Sequence, residues 1–201
     1  MELIVIEHLE DGISRWMLEE YREAASVAGA SGYGVVVANL GRPELAALVG
    51  RLGVEALLES GVGEYNRVEA IVLDPQAPRP LEPWEVEASC CLVVGGIMGD
   101  HPPRGRTRLV SWRYTNAARR NLGPHQLSID GAVKVALEVA RGRRLGEIPL
   151  VVSPRVEVET PLGRVEVELP YAYPALGDGR PWIAPGVLRL LERGIMWDEA
   201  P

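Results

Sequence analysis

Apolar and polar positions along the chain fall into two patterns that alternate for most of its length. Residues 3–8, LIVIEH, are a short continuous apolar run, the pattern of a strand buried on both faces. After it, Ile13, Trp16, Met17, Tyr21, Ala24 and Ala28 recur at three- to four-residue spacing, with Glu19, Arg22 and Glu23 elsewhere on the wheel. That spacing predicts a helix, which Gly29 stops. GVVVANL (34–40) predicts a second strand, and Pro43 opens a helix through ELAALVGRL. EAIVLDP (69–75), CCLVVGG (90–96) and RLVSW (108–112) predict three further strands, with a short helix in TNAARRNLG ended by Gly123. SIDGAVKVALEVARG is the clearest helix. Ser128 caps it, Asp130 suits the positive end of its dipole, and Gly142 closes it. Ile129, Ala132, Val133, Ala136, Leu137 and Ala140 make its apolar face.

Continuous apolar strands alternating with helices indicate an α/β protein, its mostly parallel sheet covered by helices on both faces. After about residue 150 the period changes to two. RVEVETPLGRVEVEL reads as a β-hairpin around TPLG with one exposed face. PYAYPALGDGRPWIAPG follows as a proline-rich connection, and VLRLLERG as a final short helix. Neither a repeat nor a long flexible linker interrupts the chain. The expected organisation is an α/β core over 1–150, with the hairpin and short helix of 151–201 packed on it as one compact unit.

Composition narrows the function. A chain of 201 residues buries enough apolar surface to fold without staples, and its two cysteines, Cys90 and Cys91, are adjacent in an apolar run that suits no disulfide framework. A reducing, cytoplasmic setting is expected. The start, MELIVIEHLE, has neither the length nor the charge pattern of a signal peptide or membrane span. A net charge of −7 argues against a protein that coats nucleic acid non-specifically through a broad basic surface. One basic segment stands out: Arg104, Arg106, Arg108, Arg113, Arg119 and Arg120 fall in a stretch without an acid.

Ligands of open parallel sheets bind outside the carboxyl ends of the strands. Three loops qualify there: DPQAPRP (74–80), GGIMGDHPP (95–103) and NLGPHQLS (121–128). Glycines let the backbone approach a ligand, and prolines stiffen the loop. GGIMGDH lacks the Lys-Ser/Thr of a P-loop, and EHLEDG after the first strand is no dinucleotide fingerprint. His8, His101 and His125 show no metal-ligand spacing, so no metal is expected. Asp100 and His101, as neighbours in extended chain, point apart and make no ready dyad.

VVGGIMGDHPPRGRT, with NLGPHQLSIDGAVKVALEVARG downstream and IEHLEDGISRW at the start, resembles the predicted S-adenosylmethionine-dependent methyltransferase family of the SPOUT superfamily. That family is found in archaea and eukaryotes, and its eukaryotic branch includes an arginine methyltransferase of a small-subunit ribosomal protein. VEVELPYAYP and PWIAPGVLRLLERG resemble its C-terminal part, so the likeness runs end to end. The resemblance implies a C-terminal trefoil knot and S-adenosylmethionine bound among the three loops. Gly95, Gly96, Ile97, Gly99, Asp100 and His101 would supply one wall. Leu122, Gly123, Pro124, His125, Gln126 and Leu127 would supply another, with Leu73 and Asp74 as floor.

Methyl transfer to arginine requires a carboxylate to hold the guanidinium and take its proton. Glu7, which ends the first strand, and Asp100, inside the glycine loop, are the catalytic candidates. Glu10, Asp11, Arg104 and Arg106 are the candidates for substrate contact. The arginines suit either RNA phosphates or acids of the protein itself and of a protein substrate. The acceptor expected is a ribosomal-protein arginine. An RNA methyltransferase and a non-catalytic cofactor-binding assembly factor stay open as alternatives, and a monomer is favoured over a homodimer.

Overall fold

The computed structural model describes residues 2–99, 105–161 and 163–194. The chain opens with strand β1 (Leu3–His8), helix α1 (Arg15–Ala30), β2 (Gly34–Ala38), α2 (Pro43–Gly50) and the two-residue β3 (Glu55–Ala56). A short α3 (Val62–Tyr65), β4 (Ala70–Leu73), α4 (Pro83–Glu87) and β5 (Cys91–Gly96) follow. Next come α5 (Arg108–Arg113), β6 (Ala118–Arg120) and α6 (Ile129–Ala140). The C-terminal part holds β7 (Leu150–Val152), β8 (Arg155–Thr160), β9 (Gly163–Glu168), β10 (Ala172–Pro174) and α7 (Pro185–Glu192).

Among the described residues, six strands make one sheet in the order β3-β2-β1-β5-β4-β6, and every pairing in it is parallel. Central strands of such a sheet bury both faces, and β1 shows it. Ile4 and Ile6 join the core under α1 and α6, whereas Val5 joins a second core with Val72, Val93, Val110 and Tyr114 on the opposite side. The period of two thus feeds both layers from one strand.

Helix α1 begins at Arg15, because the Ser14 hydroxyl accepts the Met17 N–H at 3.1 Å as a side-chain cap. Ile13 lies ahead of the cap and is buried all the same, and the helix runs one residue past Gly29 before Gly32, at φ +82°, turns the chain. In α6 Ser128 is the cap, accepting the Gly131 N–H at 3.2 Å.

Two expected elements exchange type. RLVSW is helical, as α5, and the strand lies in ARR, where a helix was expected. Val110 and Tyr114, one turn apart, are the fully buried positions, while Leu109 and Trp112 face solvent, so the stripe is helical but only two residues wide. β6 exists because β4 offers a free edge: Ile71, Val72 and Leu73 pair with Ala118, Arg119 and Arg120. Its end is fixed by a buried pair, in which Arg120 Nε donates to both Glu85 oxygens at 2.7 and 2.8 Å.

The period-two segment forms the β8–β9 hairpin, in register from Arg155 opposite Glu168 to Thr160 opposite Gly163. The proline-rich connection after it contains β10, which pairs antiparallel with β7. Leu169, Tyr171, Tyr173 and α7 share a third core with Trp16 of α1. Among the described residues no helix is long and apolar enough to cross a membrane.

Candidate active site

The carboxyl ends of β4 and β5 open into a cavity of about 330 Å3, within the size range of small-molecule sites. Leu73 and Asp74 close one end, Gly95, Ile97 and Gly99 come from β5 and its loop, and Leu122 to Leu127 lead into α6. Gly105, Arg106 and Thr107 return from the start of α5, and Ser128, Ile129 and Ala132 of α6 complete the lining. Leu73, Val94, Leu122 and Ile129 give the lining its apolar side chains, and Asp74, Gln76, Thr107 and Gln126 are among its polar residues.

Of the residues the sequence singled out, Leu73, Asp74, Gly95, Ile97, Gly99 and the whole run Leu122–Leu127 line this cavity. Gly96 does not. A Cβ there would lie 2.5 Å from the Tyr21 hydroxyl and 3.1 Å from His8 Cα, so its missing side chain serves the packing of β5 on β1 and α1. Asp100, His101 and Arg104 lie outside the described residues. Asp74 is buried, and its carboxylate accepts the Gln76 N–H at 2.9 Å and the Ser111 hydroxyl at 2.5 Å, which ties the β4 loop to α5.

Glu7 sits off this lining, on the opposite face of the sheet. It is fully buried, and its carboxylate accepts from Ser60 Oγ, the Gly61 N–H at 3.1 Å and the Tyr114 hydroxyl at 2.8 Å, with Arg113 3.5 Å away. Glu10 is a bridge: its Oε1 accepts the Met98 N–H and the Arg106 guanidinium, both at 2.9 Å. Arg106 also donates to the Met98 carbonyl, so the loop after β1 clamps the glycine loop. Asp11 is exposed at the turn after β1, and its carbonyl accepts from Arg42.

Three of the six arginines of the basic segment are engaged in ion pairs within the protein. Arg106 pairs with Glu10, Arg113 with Glu7 and Arg120 with Glu85. Arg108 lies 5.5 Å over the ring of Trp112, which is exposed on α5. Burial lowers the pKa of His8, whose Nδ1 is hydrogen bonded to the Tyr21 hydroxyl at 2.8 Å, so its imidazole is neutral at pH 7.

Several residues at the cavity carry no local sequence signal. The Tyr171 hydroxyl donates to the Gly99 carbonyl at 2.9 Å, and the Ala172 N–H donates to the Gln126 carbonyl at 2.8 Å. The C-terminal segment thus braces two walls at once. Gly99 must be small for the same reason, since a Cβ there would fall on the Gln126 side-chain amide and 2.8 Å from Tyr171 Cε1. Gly105 adopts φ +63°, a left-handed conformation open to glycine. Prolines around Tyr171 and Tyr173 suggested only a connection; an aromatic every second residue in YAYP is the one trace of β10.

Comparison with known proteins gives this arrangement a context. Protein arginine N-methyltransferase SFM1 of Saccharomyces cerevisiae is 26% identical over 204 residues, spanning 94% of this chain and 93% of that protein. The crystal structure of yeast SFM1 complexed with SAM superposes with a TM-score of 0.82 at 25% identity, covering 95% of this chain and 90% of that one. The dual specific Trm10 of Thermococcus kodakaraensis reaches a TM-score of 0.57 at 12% identity over 72% of this chain and 96% of that one, a likeness of fold alone. The α/β architecture expected of the chain, a mostly parallel sheet covered by helices, is thus present. Residues 3–197 match the family described as SFM1-like protein arginine N-methyltransferases, and the chain belongs to that family.

Proposed function

We propose that this chain methylates an arginine of a protein with S-adenosylmethionine, and that the cavity at the ends of β4 and β5 is the cofactor site. The observation that carries this is the position and make-up of the cavity in a chain of this family: three glycine- and proline-bearing loops at the carboxyl edge of a parallel sheet. The residues fit the group. Gly95, Gly99 and Gly105 bring loop backbone into the lining, and Leu73, Val94, Leu122 and Ile129 offer apolar faces to a flat heterocycle.

When bound, the cofactor supplies an electrophilic methyl on a sulfonium. The chain's part is to align it with the acceptor, exclude water and remove a proton. Alignment and desolvation contribute several kcal/mol, in order of magnitude, to such transfers. An arginine guanidinium, with a pKa above about 12, must lose a proton as the methyl arrives. We assign that proton to Asp100, the acid of the glycine loop. Glu7 receives a framework role instead, because its oxygens are already claimed by three donors on the far face of the sheet. Glu10 and Arg106 hold the rim, and Asp11 and Arg104 keep the role of substrate contact that the sequence suggests for them.

The acceptor proposed is an arginine of a ribosomal protein, methylated in the cytoplasm by a monomer. Support comes from the arginine segment: three of its six members pair with the protein's own acids, which takes half of its charge from any grip on RNA phosphates. The trefoil knot implied by the resemblance belongs to the same proposal, supported by β6 returning to the outer edge of β4 while β5 lies inside it. So does the organisation into a 1–150 core and a 151–201 appendage, supported by the core that Trp16 shares with the C-terminal residues.

The test is incubation with methyl-labelled S-adenosylmethionine and cell extract, followed by nuclease or protease. Label that survives nuclease, is lost to protease and maps to methylarginine is the expected result. Label that is wholly nuclease-sensitive overturns the protein acceptor, and the absence of transfer from a protein that binds the cofactor overturns the enzyme.

A further inference from the structure

Glu20 is a buried glutamate that neither the cavity lining nor the proposed chemistry uses. It lies on the inner face of α1 at 3% exposure, one turn after Trp16. Its Oε1 accepts the Trp16 indole N–H at 2.8 Å, and its Oε2 accepts the Ile129 backbone N–H at 3.0 Å. Ile129 is the first residue of α6, so this N–H is one of the orphan donors that a helix start leaves unpaired. A side chain from 109 residues away satisfies it. Ile129 and Ser128, its cap, both line the cavity.

Stability alone gives a carboxyl little reason to be here. Burying one costs free energy, and an apolar residue of similar volume would fill the space between α1 and α6. The surroundings add to the cost: Asp130 of α6 is also buried, Glu23 lies further along α1, and the Tyr173 hydroxyl of β10 is buried without a partner among the described residues. Burial and the charge of Asp130 push Glu20 up to about 8, and burial pushes Asp130 up to about 6. What the carboxyl adds is a fixed point. Two N–H groups converge on its two oxygens, one from the core shared with the C-terminal segment and one from the cavity wall.

We propose that Glu20 is a positioning residue of the cofactor site: by accepting the Ile129 N–H it sets where α6 begins, and with it the wall from Gln126 to Ile129. The inference rests on the reading of the cavity as the S-adenosylmethionine site. Glu20→Gln offers one acceptor oxygen to two N–H groups, so an amide NH2 must face a donor. Glu20→Asp keeps the acid but withdraws it by one methylene from Ile129. Tyr114→Phe is the matched control, since it removes one hydrogen bond from a different buried carboxylate, Glu7, on the far face of the sheet.

The experiment measures the Kd of S-adenosylmethionine and S-adenosylhomocysteine by calorimetry, KM and kcat with an acceptor peptide or protein, and Tm. Both Glu20 variants are expected to raise Kd and the KM for cofactor by about fivefold, the loss expected of one hydrogen bond between neutral groups. Under saturating cofactor kcat should stay within about twofold. Tyr114→Phe is expected to lower Tm with Kd unchanged. Glu20 variants that lose Tm but bind cofactor as wild type overturn the positioning role, as does a Tyr114 variant whose Kd rises in step with its loss of Tm. A wild-type protein that binds neither compound overturns the reading of the cavity itself, a separate failure.

Discussion

Replacing Gly99 by alanine adds one methyl group where two walls of the cavity meet. The new Cβ would lie 2.8 Å from Tyr171 Cε1 and 3.0 Å from Gln126 Cδ, well inside the roughly 3.5–4 Å of an unstrained carbon contact. Gln126 can swing its amide away. The Tyr171 ring moves less freely, because its hydroxyl is bonded to the Gly99 carbonyl and its backbone belongs to the segment that holds Gln126. Overpacking of this kind costs about 1–3 kcal/mol, and losing the hydroxyl bond adds about 1. A loss of about 2 kcal/mol in cofactor affinity, roughly thirtyfold in Kd, is therefore expected once part of the strain relaxes. Because Tyr171 also belongs to the third core, Tm should fall too, by about 2–4 °C for each kcal/mol of strain that the fold retains. Calorimetric titration with S-adenosylhomocysteine, beside a melting curve, reads both numbers. Binding within twofold of wild type would refute the reasoning, since it would mean that the Gly99–Tyr171–Gln126 contact does not bound the cofactor. Tyr171→Phe, which removes the hydroxyl alone, should cost less than about tenfold.

Other expectations follow from the buried polar groups. Tyr114→Phe takes one of three donors from the buried Glu7 carboxylate and should destabilise by about 1–3 kcal/mol, measured as a shift in urea midpoint with unchanged slope. Arg120→Met leaves Glu85 buried without its guanidinium and should cost about 3–5 kcal/mol, whereas the double variant Glu85→Leu/Arg120→Met should recover much of it; equal losses in both would sink the pairing argument. Stability should fall as pH is raised from about 5 to 8. Glu20 and Asp130 ionise near 4.5 and 3.8 when exposed but only near 8 and 6 in the fold, so across that window the folded chain binds more protons than the unfolded one. Melting curves for Asp130→Asn should show a shallower slope than wild type. Asp100→Asn should lower kcat by a factor on the order of 100 or more with little change in cofactor Kd, the signature of a lost proton acceptor.

Residues whose surroundings repeat along the chain were legible in the sequence. LIVIEH and CCLVVGG carry strands buried on both faces because helices cover the sheet on each side, and that leaves an unbroken apolar run. Helix α6 was readable from its cap to its closing glycine, since Ser128 and the apolar face act within a turn of each other. The exchange of α5 and β6 shows where local reading stops. RLVSW buries Val110 and leaves Trp112 to solvent, a stripe too narrow to display a period. ARR becomes a strand through the edge of β4 and through Glu85, thirty-five residues earlier, which stabilises the buried guanidinium.

The same division runs through the site. Composition and spacing by themselves determined the α/β class and the loops at the carboxyl edge, because glycines, prolines and apolar runs act on their own neighbourhood, and the motif around GGIMGDHPPRGRT added the family resemblance. Only tertiary structure decided that Glu7 faces away from the cavity, that Gly96 serves packing, and that Tyr171 and Glu20 brace walls built from distant loops. A carboxylate at the end of a strand looks the same in sequence whether its oxygens meet a substrate or three buried donors. The distinction lies in which groups the fold brings within hydrogen-bond reach from 50 to 110 positions away, such as Gly61 at 54, Tyr114 at 107 and Ile129 at 109.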